Sequence, residues 1–199
     1  MNLYLIRHGY TEENEKGTYY GAVDPGLNEK GFIQCEKIKI FMENIAFQKV
    51  FCSPLKRAKE TAYIVTESHA RKDERIRERD FGIFEGKTYE ELKDDRYLNI
   101  EYEKWCNNWL EYKIPEGESY MEFCQRVYDF MDEVLLKYGD DENILIVTHA
   151  GVIKVIYTYI MNKKPELFWK FSSENGDVSM IKYEYGNLFI DYINHFKEE

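Results

Sequence analysis

Apolar residues along the chain come in short runs, and the spacing inside each run predicts its element. Residues 3–6 are apolar throughout, as is the middle of 143–148, and both read as buried strands. Residues 48–52 read as a third strand. Between them the period changes to that of a helix. Asn28 caps a helix running to about residue 44, after a loop that ends in Asp24-Pro25-Gly26. Pro54 suits the first turn of another helix, which extends to about residue 67. Phe123, Val127, Phe130, Met131, Val134 and Leu135 recur at helical spacing behind Ser119 and Glu122, a serine and glutamate placed as a capping box. Thr88 and Glu91 make a second such box for a short helix. Residues 97–112 look helical and carry many aromatics, and Pro115-Glu116-Gly117 makes a turn after them. A helix is expected over 151–161. Residues 178–183 and 188–193 should pair as a hairpin across Tyr185-Gly186-Asn187.

Strands alternating with helices predict a three-layer α/β/α sandwich with a mainly parallel central sheet. No repeat, low-complexity tract or flexible linker interrupts the 199 residues, so one domain over 1–199 is expected, with an aromatic helical cap at about 88–118. In such sheets ligands bind beyond the carboxyl ends of the strands. The three strands end in Arg7-His8-Gly9, in Ser53-Pro54-Leu55 with Lys56-Arg57 behind it, and in Thr148-His149-Ala150-Gly151. If they lie parallel and adjacent, two histidines and two arginines open on one crevice.

Composition narrows what that crevice can serve. A net charge of −10 argues against nucleic acid or an anionic membrane as partner, so an anion site must be a local concentration of positive groups. No apolar run approaches the length of a membrane span, and the N-terminal run is too short for a signal peptide. Cys35, Cys52, Cys106 and Cys124 are scattered without a CxxC pair and read as reduced and structural, in a cytoplasmic chain. Four histidines, His8, His69, His149 and His195, include no pair at metal-ligand spacing on a helix, so no metal and no cofactor is expected. His69 and His195 read as surface residues. The expected partner is a small phosphomonoester, and nothing in the sequence decides the oligomeric state.

Arginine presents a fixed fork of donors matching phosphate oxygens two at a time. A neutral imidazole can attack phosphorus. A second, protonated histidine would stabilise the equatorial oxygens, and a carboxylic acid would protonate the leaving alkoxide. Each tripeptide alone is weak, since a histidine after a strand is often structural and an arginine on a helix is often solvated. Their joint placement at three strand ends favours function. Glu78, Asp80 and Glu85 are all candidates for the acid, and the residues alone do not choose among them.

The chain resembles the histidine phosphatase superfamily, also called phosphoglycerate mutase-like, over nearly its whole length. The opening stretch Leu5-Ile6-Arg7-His8-Gly9-Tyr10-Thr11 is similar to the family's first motif, and Ser53-Pro54-Leu55-Lys56-Arg57-Ala58-Lys59-Glu60-Thr61-Ala62 to its second. The stretch from Ile76 to Gly86 is similar to the one holding the acid, and Thr148-His149-Ala150-Gly151 to the last motif. The resemblance implies that His8 becomes a phosphohistidine and that Glu78 is the proton donor. It implies further that Arg7, Asn14, Arg57, His149 and the Ala150 backbone bind phosphate. Tyr10 stands where the family usually has Glu, and Ala150 where many members have Gly; neither changes the charge of a phosphate ligand. The span between Glu78 and His149 is short for a mutase, which favours hydrolysis.

Tyr102, Trp105, Trp109 and Tyr112 fall on roughly one helical face. They pack as core, or one or two of them, Trp105 and Trp109 first, border the pocket and stack on a flat substrate group. Trp105-Cys106-Asn107-Asn108-Trp109, Ile114-Pro115-Glu116-Gly117-Glu118-Ser119 and Phe123-Cys124-Gln125-Arg126-Val127 look like the α-ribazole phosphatases of cobalamin biosynthesis. That resemblance implies α-ribazole 5′-phosphate, or the corresponding adenosylcobalamin phosphate, as substrate. The rivals are a broad-specificity phosphatase, a cofactor-dependent phosphoglycerate mutase, and a phosphate-binding module without turnover.

Overall fold

The computed structural model describes residues 1–139 and 142–196. Its centre is one six-stranded sheet in the order β3-β2-β4-β1-β5-β6. The strands are β1 Asn2–Arg7, β2 Lys49–Cys52, β3 Arg71–Lys72, β4 Asn143–Thr148, β5 Val178–Glu184 and β6 Asn187–Asn194. The first four in that order run parallel, whereas β5 is antiparallel to β1 and β6 to β5. The helices are α1 Glu12–Lys16, α2 Glu29–Met42, α3 Lys56–Thr66, α4 Tyr89–Asp94, α5 Arg96–Asn107, α6 Tyr120–Lys137 and α7 Ala150–Ile160. The architecture is thus α/β with a mainly parallel sheet.

Strand alternation builds two cores. Leu3, Leu5, Ile144 and Ile146 face one side with Phe123, Val127 and Phe130 of α6 and Ile153 and Ile156 of α7. Tyr4, Ile6, Leu145 and Val147 face the other, against Ile38 and Met42 of α2 and Ala58, Ala62 and Val65 of α3. Central strands buried on both faces are apolar throughout their middle, which is why residues 3–6 of β1 and 144–147 of β4 show no polar alternation. Burying each large apolar side chain contributes about 1.5–3 kcal/mol, so the sheet centre is a rigid base for the loops at its end. A third cluster of Phe84, Leu92, Trp105 and Ile114 forms over the carboxyl end of the sheet.

Both capping boxes form. Thr88 Oγ1 accepts from Glu91 N at 3.2 Å, Ser119 Oγ from Glu122 N at 3.1 Å, and each glutamate accepts in return at 2.8 Å. Three expectations need correction. The aromatic helix stops at Asn107, because Asn108 leaves helical backbone with φ −138° and ψ 53°, so Trp109 and Tyr112 lie beyond it. Pro54 lies outside α3, whose N-cap is the extended Leu55. α7 starts at Ala150 with His149 as its N-cap. The hairpin turn is the two residues Tyr185 and Gly186, both at positive φ, as the twist of a tight hairpin requires.

Candidate active site

β1, β4 and β2 are adjacent and parallel, and Arg7 is in register with Thr148. The chain leaves all three strands on one edge. His8 N donates to Thr148 O at 2.9 Å, and Ser53 N donates to Val147 O at 3.0 Å. The two histidine rings therefore meet, with centroids 5.1 Å apart. His8 is 3% exposed and His149 and Arg57 are fully buried.

Each ring is held by a neighbour. His8 Nδ1 lies 2.8 Å from Gly9 O. A carbonyl only accepts, so Nδ1 carries the proton and Nε2 keeps its lone pair. Burial holds the His8 pKa well below the usual histidine value, with Arg57 and Arg7 adding to the effect and the Gly9 carbonyl opposing it. The ring is neutral at pH 7. His149 Nε2 shares a 2.7 Å hydrogen bond with Ser53 Oγ. Burial, then Arg57, His8 and Arg7, also push its pKa well below the usual value. Burial and the two guanidinium groups together disfavour a protonated His149.

Arg57 emerges from the first turn of α3. Its Nη1 donates to Val23 O at 2.9 Å and its Nη2 to Gly21 O at 3.2 Å, while the Tyr20 ring lies 4.6 Å from its Cζ. Arg7 Nη1 donates to Ser173 O at 2.5 Å. Arg7 Nε, Arg57 Nε and His149 Nδ1 are all buried without a hydrogen-bond partner among the described residues. An unmade bond at a buried polar atom costs about 1–3 kcal/mol. Three such atoms on three neighbouring residues mark a place for an anion.

Asn14 caps this pocket. Its Oδ1 accepts from Thr11 N at 3.1 Å, from Thr11 Oγ1 at 3.0 Å and from Asn175 Nδ2 at 3.1 Å. With the oxygen saturated, the amide NH₂ is the end left to donate. Asn175 Nδ2 also donates to His8 O at 3.1 Å, so one side chain ties both residues together. Asn175 gave no sequence signal, since its loop has neither periodicity nor a motif.

Geometry separates the three carboxylates. Glu85 accepts from the N–H groups of Gly21, Ala22, Val23 and Phe81 at 2.9–3.1 Å. It is a staple for the loop whose carbonyls hold Arg57. Asp80 turns back on Gly82 N at 2.9 Å. Glu78 reaches the start of α7, with Oε2 3.0 Å from Gly151 N and Oε1 2.9 Å from Arg79 N. Gly151 permits this approach, because a Cβ there would lie 2.2 Å from Glu78 Oε1. Ala150, at the first position of α7, presents its N–H at the positive end of the helix.

Beyond Glu78 lies a cavity of about 210 Å³ walled by aromatic rings. Trp105 and Trp109 both line it. Trp109 packs on Tyr120, Phe168 and Trp169 at 4.9–6.3 Å between centroids. Tyr102 instead pairs with Tyr19 at 2.8 Å between hydroxyls, and Tyr112 bonds Glu101. Glu78 lines the cavity together with Ala150 and Gly151 of α7, which follow His149 in the chain. Lys154 and Arg79 also face it. Lys154 lies four residues after Ala150 on the same helical face, a spacing the sequence carries, but it stands outside the last motif. His69 is exposed, and His195 pairs with Asp177 at 2.7 Å.

A model of the histidine phosphatase superfamily (branch 1) matches residues 3–195, and the chain belongs to that superfamily. The fold is phosphoglycerate mutase-like and the protein is a phosphatase, a hydrolase. It is 32% identical over 184 residues to the adenosylcobalamin/alpha-ribazole phosphatase of Salmonella typhimurium, covering 91% of this chain and 90% of that one. It is 31% identical to putative phosphoserine phosphatase 2 of Hydrogenobacter thermophilus over 198 residues, 96% and 94% of the two chains. The crystal structure of a putative alpha-ribazole-5′-P phosphatase from Escherichia coli superposes with a TM-score of 0.91 at 29% identity, covering 98% of this chain and 96% of that one. Among the described residues no helix is long and apolar enough to cross a membrane.

Proposed function

We propose that the protein hydrolyses small phosphomonoesters through a phosphohistidine on His8. Nε2 of the neutral ring attacks phosphorus, the N–P bond forms, and the P–O bond to the alkoxide breaks. Arg7, Arg57, Asn14, His149 and the Ala150 N–H hold the three equatorial oxygens, whose charge is where stabilisation is worth most. The bound dianion offsets the two guanidinium charges, and His149 takes up its proton under that condition. Glu78, in its acid form, gives its proton to the leaving alkoxide. As a carboxylate it then takes a proton from water, which attacks the phosphohistidine; the N–P bond breaks and phosphate leaves. The observation that carries this reading is the set of buried, unpartnered nitrogen atoms of Arg7, Arg57 and His149 beside a histidine with a free Nε2.

The substrate we propose is α-ribazole 5′-phosphate, or the equivalent adenosylcobalamin 5′-phosphate. A ring-walled cavity beside the acid suits a flat, largely apolar leaving group. Relatives from Salmonella typhimurium and Escherichia coli, each 32% identical, bear the name adenosylcobalamin/alpha-ribazole phosphatase. A second reading, a phosphoserine or broad-specificity phosphatase, draws on the two cations in the wall, Arg79 and Lys154, as seats for a carboxylate.

Rapid-quench turnover of ³²P-labelled α-ribazole 5′-phosphate in EDTA tests both levels. Acid-labile label on wild type but not on His8→Ala, with fast release, is the expected result. Label with slow release sends the substrate to phosphoserine or another ester. Phosphate binding without turnover of any ester would leave a binding module, and 3-to-2 interconversion of phosphoglycerate would make it a mutase.

A further inference from the structure

Three charged side chains stand in the wall of the aromatic cavity: Glu78, Arg79 and Lys154. Glu78 is accounted for, since each of its oxygens accepts a backbone N–H. The two cations are not. Lys154 projects from the second turn of α7, with Nζ 3.8 Å from the Phe168 centroid and 4.5 Å from that of Trp169. It has no hydrogen bond and no ion pair among the described residues. Burial lowers its pKa to about 8, while Glu78 opposes that shift and Arg7 adds to it. Among the described residues the Arg79 guanidinium donates only to Glu118 O, at 3.2 and 3.4 Å, and its Cζ lies 5.4 Å from the Trp105 ring.

Ring faces attract a cation modestly and do not replace the water it has lost. The wall is therefore short of acceptors and of negative charge. The shortage deepens at the moment that matters. Glu78 must be protonated to serve a leaving group, and the wall then holds two positive charges and no negative one.

We propose that Lys154 is a specificity-determining residue: caged on Phe168 and Trp169, its ammonium selects leaving groups that bring a ring bearing a hydrogen-bond acceptor or an anionic group into the cavity, and rejects those that bear a cation. The inference rests on the cavity being the seat of the leaving group. It favours a base such as that of α-ribazole, whose unsubstituted ring nitrogen has a lone pair to offer. Phosphoserine brings no ring, and it offers Lys154 a carboxylate to attract and an ammonium to repel.

Two aryl phosphates of matched shape test it: 4-carboxyphenyl phosphate and 4-(aminomethyl)phenyl phosphate. They share the phosphoryl group and the ring, so a general loss of activity cancels in the ratio of their kcat/KM values. Wild type should prefer the carboxylate by roughly tenfold or more, the scale of one unit-charge contact in a partly wet site. Lys154→Met, which keeps the apolar stem, should lower the ratio by roughly tenfold, Lys154→Glu should lower it further, and Lys154→Arg should restore it. Thermal melting establishes that each variant is folded. A ratio equal in wild type, Lys154→Met and Lys154→Glu overturns the proposal, even if α-ribazole 5′-phosphate is the best substrate. A ratio that moves sustains it, even if that ester is not turned over.

Discussion

At the scale of single residues, the decisive distinction is among three carboxylates within eight positions of one another. Glu78 and Glu85 both accept backbone N–H bonds, but to different ends. Glu85 accepts four from two segments and so fixes Gly21 and Val23, whose carbonyls hold the Arg57 guanidinium. Glu78 accepts two, at the junction of phosphate pocket and cavity. The two should fail differently when altered. Glu78→Gln should lower kcat for alkyl phosphates by roughly 10²–10³-fold, the usual worth of a positioned general acid, and spare p-nitrophenyl phosphate, whose leaving group scarcely needs a proton. Glu85→Ala should lower kcat/KM for both ester types alike, by about tenfold or more, because the phosphate clamp and not the proton is lost. Steady-state kinetics on the two esters separates these patterns. Equal losses in Glu78→Gln would remove Glu78 from the acid role.

At the scale of elements, α7 is where fold and chemistry join. Its N-terminus offers the Ala150 N–H and receives Glu78 on Gly151, and its second turn carries Lys154 into the cavity. Gly151→Ala places a methyl group where Glu78 Oε1 now lies, and the nearest obstacle is the mobile end of a side chain. The fold should survive with little change in Tm, and the kinetic defect should copy that of Glu78→Gln at a smaller size, about tenfold. A loss shared equally by alkyl and p-nitrophenyl esters would contradict it. The same elements show what a sequence can and cannot carry. Buried runs gave β1 and β4, and capping boxes gave the starts of α4 and α6, because both signals are local. α1 and β3, of five and two residues, are too short for a period to register. The aromatic stripe misled at its end: Trp109 continues the helical spacing, yet it is held by Tyr120, Phe168 and Trp169, which come from distant segments. The clustering of His8, Arg7, Arg57 and His149 was legible because adjacent parallel strands must end on one edge. Asn175 was not, because its contacts span more than 160 positions along the chain.

At the scale of the whole molecule, a pocket that keeps two neutral histidines buried ties stability to pH. The pKa values of His8 and His149 both lie well below the usual histidine value, in each case first through burial and then through the positive groups around them. An unfolded chain returns each ring to a value near about 6.5. Between the folded and unfolded values the unfolded state binds more protons, so stability rises with pH across that window. The contribution is fully present above the unfolded value and is lost as pH falls below it. Each ring that stays neutral in the fold while protonating in the unfolded chain adds a slope of about 1.4 kcal/mol per pH unit, to a joint limit near 2.7 for the pair. Denaturant melts at pH 7.0, 6.0 and 5.0 should therefore show a falling unfolding free energy, with most of the loss below pH 6. His149→Asn should remove about half of that slope, since it takes one of the two rings away and lightens the burden on the other. Saturating sulfate, a dianion at all three pH values, should flatten the wild-type slope as well, because its charge beside Arg7 and Arg57 raises both histidine pKa values toward the unfolded one. A slope unchanged both by His149→Asn and by sulfate would mean that the buried pair is not what couples this fold to protons.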